Sequence, residues 1–411
     1  MEHYIASRSQ KAVAKNDIIA ISNMAKKDKA EGNTVIDGSI GVFLDDSRQL
    51  GKVLGINDAL KNHVTDSLGY PSVYGDVDYN NAVEKWVFDD KFDRIHQLYS
   101  VFTGSTLGGT GGLSIAFNLF LEEGQAVLLP DVMWNNYTLI AKKAGLGYET
   151  YNTFTTDDKF NIESLREHIR HRIDVDGRAL VVINDPCQNP TGYCLTESEY
   201  DELFNMLNEE GSKGKLTVLF DIAYLSYYAV EGSKCKLIDK LAEKKNDFIA
   251  VIIFSCSKVF GLYGLRIGAM MALALDDDES LEIRQAFGAQ ARGVYSCPNG
   301  GCSHAISKVI SDKDSKEKLL KEINHNKDIL GQRGRTLITE LDKAGIKHYP
   351  YNSGFFLTII VEKNAFEVFE QLKTEHIFIV PLSDNTIRIA LSGMTEDECV
   401  TLVKELKKAV K

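Results

Sequence analysis

No run of residues in this 411-residue chain is apolar for long enough to cross a bilayer, and the N-terminal segment MEHYIASRSQKAVAKND lacks the apolar stretch of a signal peptide. No membrane partner is expected, and a cytoplasmic location is the default. Positive charge is also scarce: the formal net charge is -11, and no local basic patch offsets it. Such a surface repels phosphate backbones and anionic lipid, so nucleic acid is not an expected partner. The seven cysteines are odd in number and include no C-x-x-C pair. They read as reduced thiols of an intracellular protein. Internal repeats and low-complexity tracts are missing too.

Two nucleotide-binding signatures fail. The glycine cluster GSTLGGTGG, Gly104 to Gly112, is not followed by Gly-Lys-Ser/Thr, and the dinucleotide spacing G-x-G-x-x-G breaks at Ser114. The pair His168 and His171 in REHIRHR is interleaved with arginines that repel a cation, so it reads as a solvated helix face and no metal site is expected.

What is present is an ordinary globular composition, 44% hydrophobic and 26% charged, in a chain long enough for a large domain plus a smaller one. The runs AVLLP (Ala126 to Pro130), ALVVIN (Ala179 to Asn184), LTVLFD (Leu216 to Asp221) and FIAVIIFS (Phe248 to Ser255) are too apolar for one-sided strands. They predict an α/β fold with a mostly parallel sheet covered by helices on both faces, continued by AMMALAL (Ala269 to Leu275). Leu113, Ala116, Phe117 and Phe120 recur at helical spacing, predicting a helix that starts just after the glycines of TLGGTGG and stops at Gly124. Beyond about Glu322 the pattern changes to a helix, strands around FFLTIIV, IFIVP and TIRIAL, and a last helix opened by Thr395 and Glu398 in capping-box spacing. The expected organisation is an N-terminal arm with part of the small domain over 1–50, a large domain over 51–322 and a C-terminal small domain over 323–411.

Four motifs carry chemistry. In FSCSKVFGLYGLRIG, Lys258 follows a buried strand, where desolvation favours the neutral amine that a Schiff base needs; Ser255, Ser257 and Arg266 are donors suited to a phosphate dianion. A surface lysine in a polar turn is the plainer alternative, but it leaves the rest of the string unexplained. In VLFDIAY, Asp221 ends an apolar strand and Tyr224 follows; a buried carboxylate there needs a cationic partner such as a protonated pyridine nitrogen, unless it caps a helix. NDPCQNPTG breaks the chain after ALVVIN and can aim Asn189 across the carboxyl edge of the sheet, although N-P-T-G alone is commonly just a turn. The glycines around Gly109 and Thr110 open a helix and present bare amides suited to phosphate.

Together these motifs resemble the class I aminotransferases, above all their aspartate and aromatic amino-acid branch, and the resemblance spans nearly the whole chain. It implies a fold-type-I architecture with a mostly parallel seven-stranded sheet and a smaller α+β domain, and pyridoxal 5'-phosphate as cofactor. It also implies amino-acid and 2-oxo-acid substrates and a homodimer with shared sites. Lys258 matches the lysine that carries the cofactor; Asp221 matches the partner of the pyridine nitrogen, and Asn189 and Tyr224 match the groups on its 3-oxygen. Ser255, Ser257 and Arg266 match phosphate ligands, and Trp134 in LLPDVMWNNY matches the ring stacked on the cofactor. Tyr70 and Ser296 match residues that reach the neighbouring subunit's phosphate. Gly41 in IDGSIGVFLDDS matches a backbone approach to substrate, and Arg388 in RIALSGMT the arginine for the substrate α-carboxylate. Arg292 in ARGVYSCP matches an arginine that binds a distal carboxylate from the partner; a surface salt bridge is its alternative. Trp86 has no counterpart and is assigned to the core. Gly108, Gln188 and Leu225 depart from the branch's usual serine, histidine and glutamine. These departures leave the cofactor chemistry intact and the substrate open, with a β-lyase or decarboxylase of the same fold as the alternative activity.

Overall fold

The computed structural model describes residue 4 and residues 18–51, 53–230 and 233–410. The chain divides into two compact units: residues 42–332 with 350–356, and residues up to 41 with 333–349 and 357 onward.

A seven-stranded sheet organises the larger unit. Its strands are β1 (Ser100–Thr106), β2 (Ala126–Pro130), β3 (Gly147–Tyr151), β4 (Arg178–Asn184), β5 (Lys215–Asp221), β6 (Ile249–Ser255) and β7 (Gly268–Ala274). Their order is β1-β7-β6-β5-β4-β2-β3, and only β7 runs antiparallel to its neighbours. The expected mostly parallel α/β sheet is therefore the one that forms. Successive strand residues point to opposite faces, and both faces are covered. Leu128, Val181, Val218, Ile252 and Met271 enter one apolar cluster, while Val127, Val182, Leu219, Val251 and Met270 enter a second. Burial on both sides is why these strands read as continuous apolar runs.

The helices that matter here are α1 (Val77–Phe88), α2 (Gly108–Phe120), α3 (Asn136–Lys143), α4 (Ile162–Asp176), α5 (Glu197–Gly211), α6 (Cys256–Val259) and α7 (Asp277–Val294). Helices α1, α4 and α5 bury Val83, Leu165 and Leu203 in the first cluster, whereas α2, α3 and α7 bury Phe117, Tyr137 and Phe287 in the second. Helix α2 differs from the expected span at both ends. It takes the glycines into its first turn and stops at Phe120, because Leu121 is already extended; Gly124, with φ +86°, belongs to the turn beyond. On α4, His168 donates from Nδ1 to the Ser164 carbonyl at 2.7 Å, and the His171 ring lies 2.8 Å from an Arg172 nitrogen. Trp86 packs edge-on against Phe260 at 5.3 Å, in keeping with its core assignment.

Strand register brings the functional segments to one edge. Asn184 pairs with Asp221, and Asp221 with Ile253, while Ser255 and Thr106 both pair with Gly268. The carboxyl ends of β1, β4, β5 and β6 thus end side by side, the place where α/β sheets gather ligands.

In the smaller unit, the short strand Ile36–Asp37 pairs in parallel with Ile377–Phe378. A three-stranded sheet runs in the order Val380–Pro381, Thr386–Ala390, Phe356–Ile360. Helix Glu396–Ala409 begins with the expected capping box of Thr395 and Glu398. Arg333 is fully buried there, with Nη1 donating to the Ser392 carbonyl at 3.1 Å.

Candidate active site

The site begins where β1 turns into α2. Gly108 has φ +69°, and a Cβ on it would stand 2.5 Å from Arg266 Nη2. A Cβ on Gly268 would lie 2.9 Å from the Gly108 Cα, so two backbones meet there with no room for side chains. This contact sets the first turn of α2, whose N–H groups have no intrahelical partners, beside the Arg266 guanidinium. Arg266 itself, in left-handed backbone at φ +55°, donates from Nη1 to Ser257 Oγ at 3.1 Å and to the Tyr263 carbonyl at 3.0 Å. Among the described residues no carboxylate pairs with it. Ser255 caps α6, its Oγ accepting from the Ser257 amide at 3.3 Å. Gly109, Thr110, Ser255, Ser257 and Arg266 therefore form one donor-rich hollow. A cleft of about 450 Å³ opens alongside, lined in part by Thr110, Ser114, Arg266, Gln290 and Tyr295.

Next along the edge is Asp221, 6% exposed, at the end of β5. Its Oδ2 accepts from the Tyr137 hydroxyl at 2.7 Å, and its Oδ1 accepts from the Ala223 amide at 3.1 Å. No helix cap is made by this carboxylate. Burial pushes its carboxyl above the ordinary range, opposed by the Tyr137 and Ala223 donors. Burial, followed by the negative charge of Asp221, pushes the Tyr137 phenol well above its usual range, so it stays a donor. Trp134 packs edge-on against Tyr137 at 5.4 Å. Asn184 Nδ2 donates to the Asp221 carbonyl at 2.8 Å, and Asn184 Oδ1 accepts from the Asn189 amide at 2.8 Å. That chain of bonds fixes the N-P-T-G segment to the sheet. The side-chain Oδ1 of Asn189 is buried with no hydrogen-bond partner.

Lys258 lies on the single turn α6 directly after β6. Its Nζ stands 4.8 Å from the ring centre of Tyr263, 5.3 Å from Phe355 and 5.6 Å from Tyr224. The box is itself held. The Phe43 amide donates to the Tyr263 hydroxyl at 2.9 Å, and Tyr224 packs against Phe355 at 5.3 Å. Tyr227 donates to the Lys258 carbonyl at 3.3 Å.

Tyr70 is 96% exposed; Arg292, in the last turn of α7, and Ser296, with φ +69°, are also exposed. Gly41 and Arg388 belong to the smaller unit, where Arg388 is buried and its Nη2 donates to the Ser39 carbonyl at 2.6 Å.

The profile of the aminotransferase class I and II family matches residues 34–406. The chain belongs to that family. This aminotransferase is 25% identical over 417 residues to an aspartate aminotransferase of Haemophilus influenzae, across 96% of this chain and 99% of the relative. An aminotransferase of Anaerococcus prevotii superposes on it with a TM-score of 0.90 at 26% identity, over 100% of both chains. The aromatic-amino-acid aminotransferase of Burkholderia pseudomallei was solved covalently bound to pyridoxal phosphate. It superposes with a TM-score of 0.79 at 21% identity, over 99% of this chain and 100% of that one, a likeness of fold.

The cofactor of an aminotransferase of this family is pyridoxal 5'-phosphate, and the residues present fit it. The donor hollow with its unpaired arginine suits a phosphate, the unsatisfied Asn189 oxygen marks a place for a polar ligand, and the Asp221 carboxylate has too few donors around it for a buried anion. Three members of the site escaped the sequence reading as functional residues: Tyr137, Tyr263 and Phe355. Tyr137 lies three residues after Trp134, a helical spacing that could have been noticed. Phe355 is joined to Lys258 only by the tertiary fold.

Proposed function

We propose that this aminotransferase moves the amino group of an L-amino acid, either aspartate, glutamate or an aromatic amino acid, to a 2-oxo acid such as 2-oxoglutarate. The observation that carries the reading is Lys258 Nζ boxed by three aromatic rings at the sheet edge that also presents Asp221 and the Arg266 hollow. The names of the relatives favour amino transfer over a β-lyase or decarboxylase reaction.

Bound pyridoxal 5'-phosphate supplies a carbonyl for the amino group and a ring that accepts electrons from the substrate's Cα. Lys258 would hold it covalently through Nζ, and the free Nζ amine would take the substrate's Cα proton as general base and return it as general acid. Three aromatic rings, those of Tyr224, Tyr263 and Phe355, face the amine. Asp221 accepts the hydrogen bond of the protonated ring nitrogen, and Asn189 and Tyr224 bind the ring's 3-oxygen. Gly109, Thr110, Ser255, Ser257 and Arg266 hold the phosphate, and Trp134 covers the ring. Arg388 takes the substrate α-carboxylate and Gly41 approaches the substrate with its backbone.

We also read the enzyme as a cytoplasmic homodimer in which Tyr70 and Ser296 of the partner subunit complete the phosphate site. Arg292 of the partner subunit then grips a distal carboxylate. A tyrosine exposed at 96% and an exposed arginine without an ion pair among the described residues support this, because both are side chains that recognition surfaces use. A panel of amino donors offered with 2-oxoglutarate and oxaloacetate tests the activity. Transfer from aspartate, glutamate or aromatic amino acids is expected; ammonia or carbon dioxide released without a new amino acid would overturn it.

A further inference from the structure

The contact between Tyr137 and Asp221 goes beyond the roles assigned so far. Tyr137 projects from α3, whose buried residues Tyr137, Ile140 and Ala141 sit at helical spacing on one face. The phenol is 1% exposed, and its hydroxyl is directed at Asp221 Oδ2 at 2.7 Å, with Trp134 packed edge-on against the ring. No other side chain among the described residues hydrogen-bonds to that carboxylate; the second donor is the backbone amide of Ala223. The other ionisable groups facing Tyr137 are Tyr224 and Tyr151. Tyr151 commits its hydroxyl to the Val182 carbonyl at 3.1 Å and is not a substitute.

We propose that Tyr137 is a positioning residue that keeps Asp221 a carboxylate, so that the proton shared with the cofactor resides on the ring nitrogen and not on Asp221. This rests on the reading of Asp221 given above. The physical reason is that a buried carboxylate and a pyridine nitrogen compete for one proton. Burial favours the neutral pair, and hydrogen bonds donated to the carboxylate favour the charged pair. One amide and one phenol are the donors that tip this balance here. The phenol suits the task because its own proton is held firmly, with burial and the adjacent anion both opposing its loss. It therefore keeps its proton and remains a donor to the Asp221 carboxylate.

The test compares Tyr137→Phe, Asp221→Asn and a variant carrying 3-fluorotyrosine at position 137, which keeps the shape and strengthens the donor. In the loaded enzyme, ¹⁵N NMR of the ring nitrogen is expected to show it protonated in the wild type. It should move toward the unprotonated shift in Tyr137→Phe and stay protonated with fluorotyrosine. In the cofactor-free protein, the ¹³Cγ titration midpoint of Asp221 should rise in Tyr137→Phe and fall with fluorotyrosine. Turnover should drop roughly tenfold in Tyr137→Phe with KM for the donor little changed, the scale expected for one lost hydrogen bond to a charged group. An unmoved nitrogen shift together with an unmoved Asp221 titration would overturn the proposal, even if activity fell. Should Tyr137→Phe fail to fold, the fluorotyrosine shifts decide alone. A ring nitrogen that stays protonated in Asp221→Asn would instead sink the assignment of Asp221, a result distinguishable from a failure of Tyr137.

Discussion

On the proposed mechanism the chemistry turns on Lys258, and the surroundings of this lysine suit it to that role. A lysine on the surface is a hydrated point charge, whereas Nζ here faces three aromatic rings that cannot hydrate it. The purified enzyme is expected to be yellow, and borohydride should fix the cofactor on Lys258. In Lys258→Ala the labelling should vanish and turnover should fall by several orders of magnitude, because both the covalent tether and the proton carrier are lost. Mass spectrometry of the reduced, digested protein checks this; an adduct on any other lysine contradicts it. At this scale the sequence was most legible where a motif concentrates several groups in one string, as around Lys258. It was least legible for Phe355, which is brought to Lys258 from almost a hundred residues away by chain topology, and short-range spacing holds no trace of that.

At the level of elements, the strands buried on both faces announced themselves as apolar runs. β1 (Ser100–Thr106) and β3 (Gly147–Tyr151) did not. β1 carries four hydroxyl side chains and a glycine, and β3 lies at the sheet edge with much of its surface exposed. Edge position and local hydroxyl–backbone bonding remove the apolar signature on which such readings depend. The helical spacing of Leu113, Ala116, Phe117 and Phe120 marks only the apolar part of α2 and leaves its glycines outside; the first turn that they form is set by the close approach of Gly108 to Arg266 and Gly268. The loop after β4 allows a pH prediction. Asp185 is buried, accepts from the Leu195 amide at 2.8 Å and from the Tyr200 hydroxyl, and burial pushes its carboxyl from 3.8 to about 6. A carboxyl whose value is raised on folding binds more protons folded than unfolded. Its cost is absent below pH about 4, grows as pH rises toward about 6, and is constant above that. Asp185→Asn removes the titration and keeps an acceptor for Leu195. Thermal melts should therefore lose part of their downward slope between pH 4 and 6 relative to the wild type, while an unchanged slope would show that Asp185 is already ionised across that window.

For the whole molecule, the question is whether one chain holds a complete site. Lys258, Asp221 and Arg266 gather at one sheet edge of a single larger unit, but Tyr70, Ser296 and Arg292 are exposed and make no hydrogen bond or ion pair with that group among the described residues. A two-fold assembly in which each subunit lends these residues to the other accounts for both facts. Arg292→Leu should cut kcat/KM for aspartate by roughly a hundredfold and leave phenylalanine much less affected, since only a dicarboxylate loses a bidentate charge partner. Mixing then separates the two arrangements. Lys258→Ala subunits co-expressed with Arg292→Leu subunits form hybrids in which one site has both lesions and the other has neither, provided that Arg292 acts across the interface. With random pairing half of the dimers are hybrids, so aspartate turnover should recover to about a quarter of the wild-type level per site. If Arg292 serves its own subunit, every site keeps one lesion and no aspartate activity returns, although phenylalanine turnover by the Arg292→Leu subunits persists. A fully active monomer in sedimentation would refute the shared site from the other direction, because such a chain would need nothing from a neighbour to bind either carboxylate.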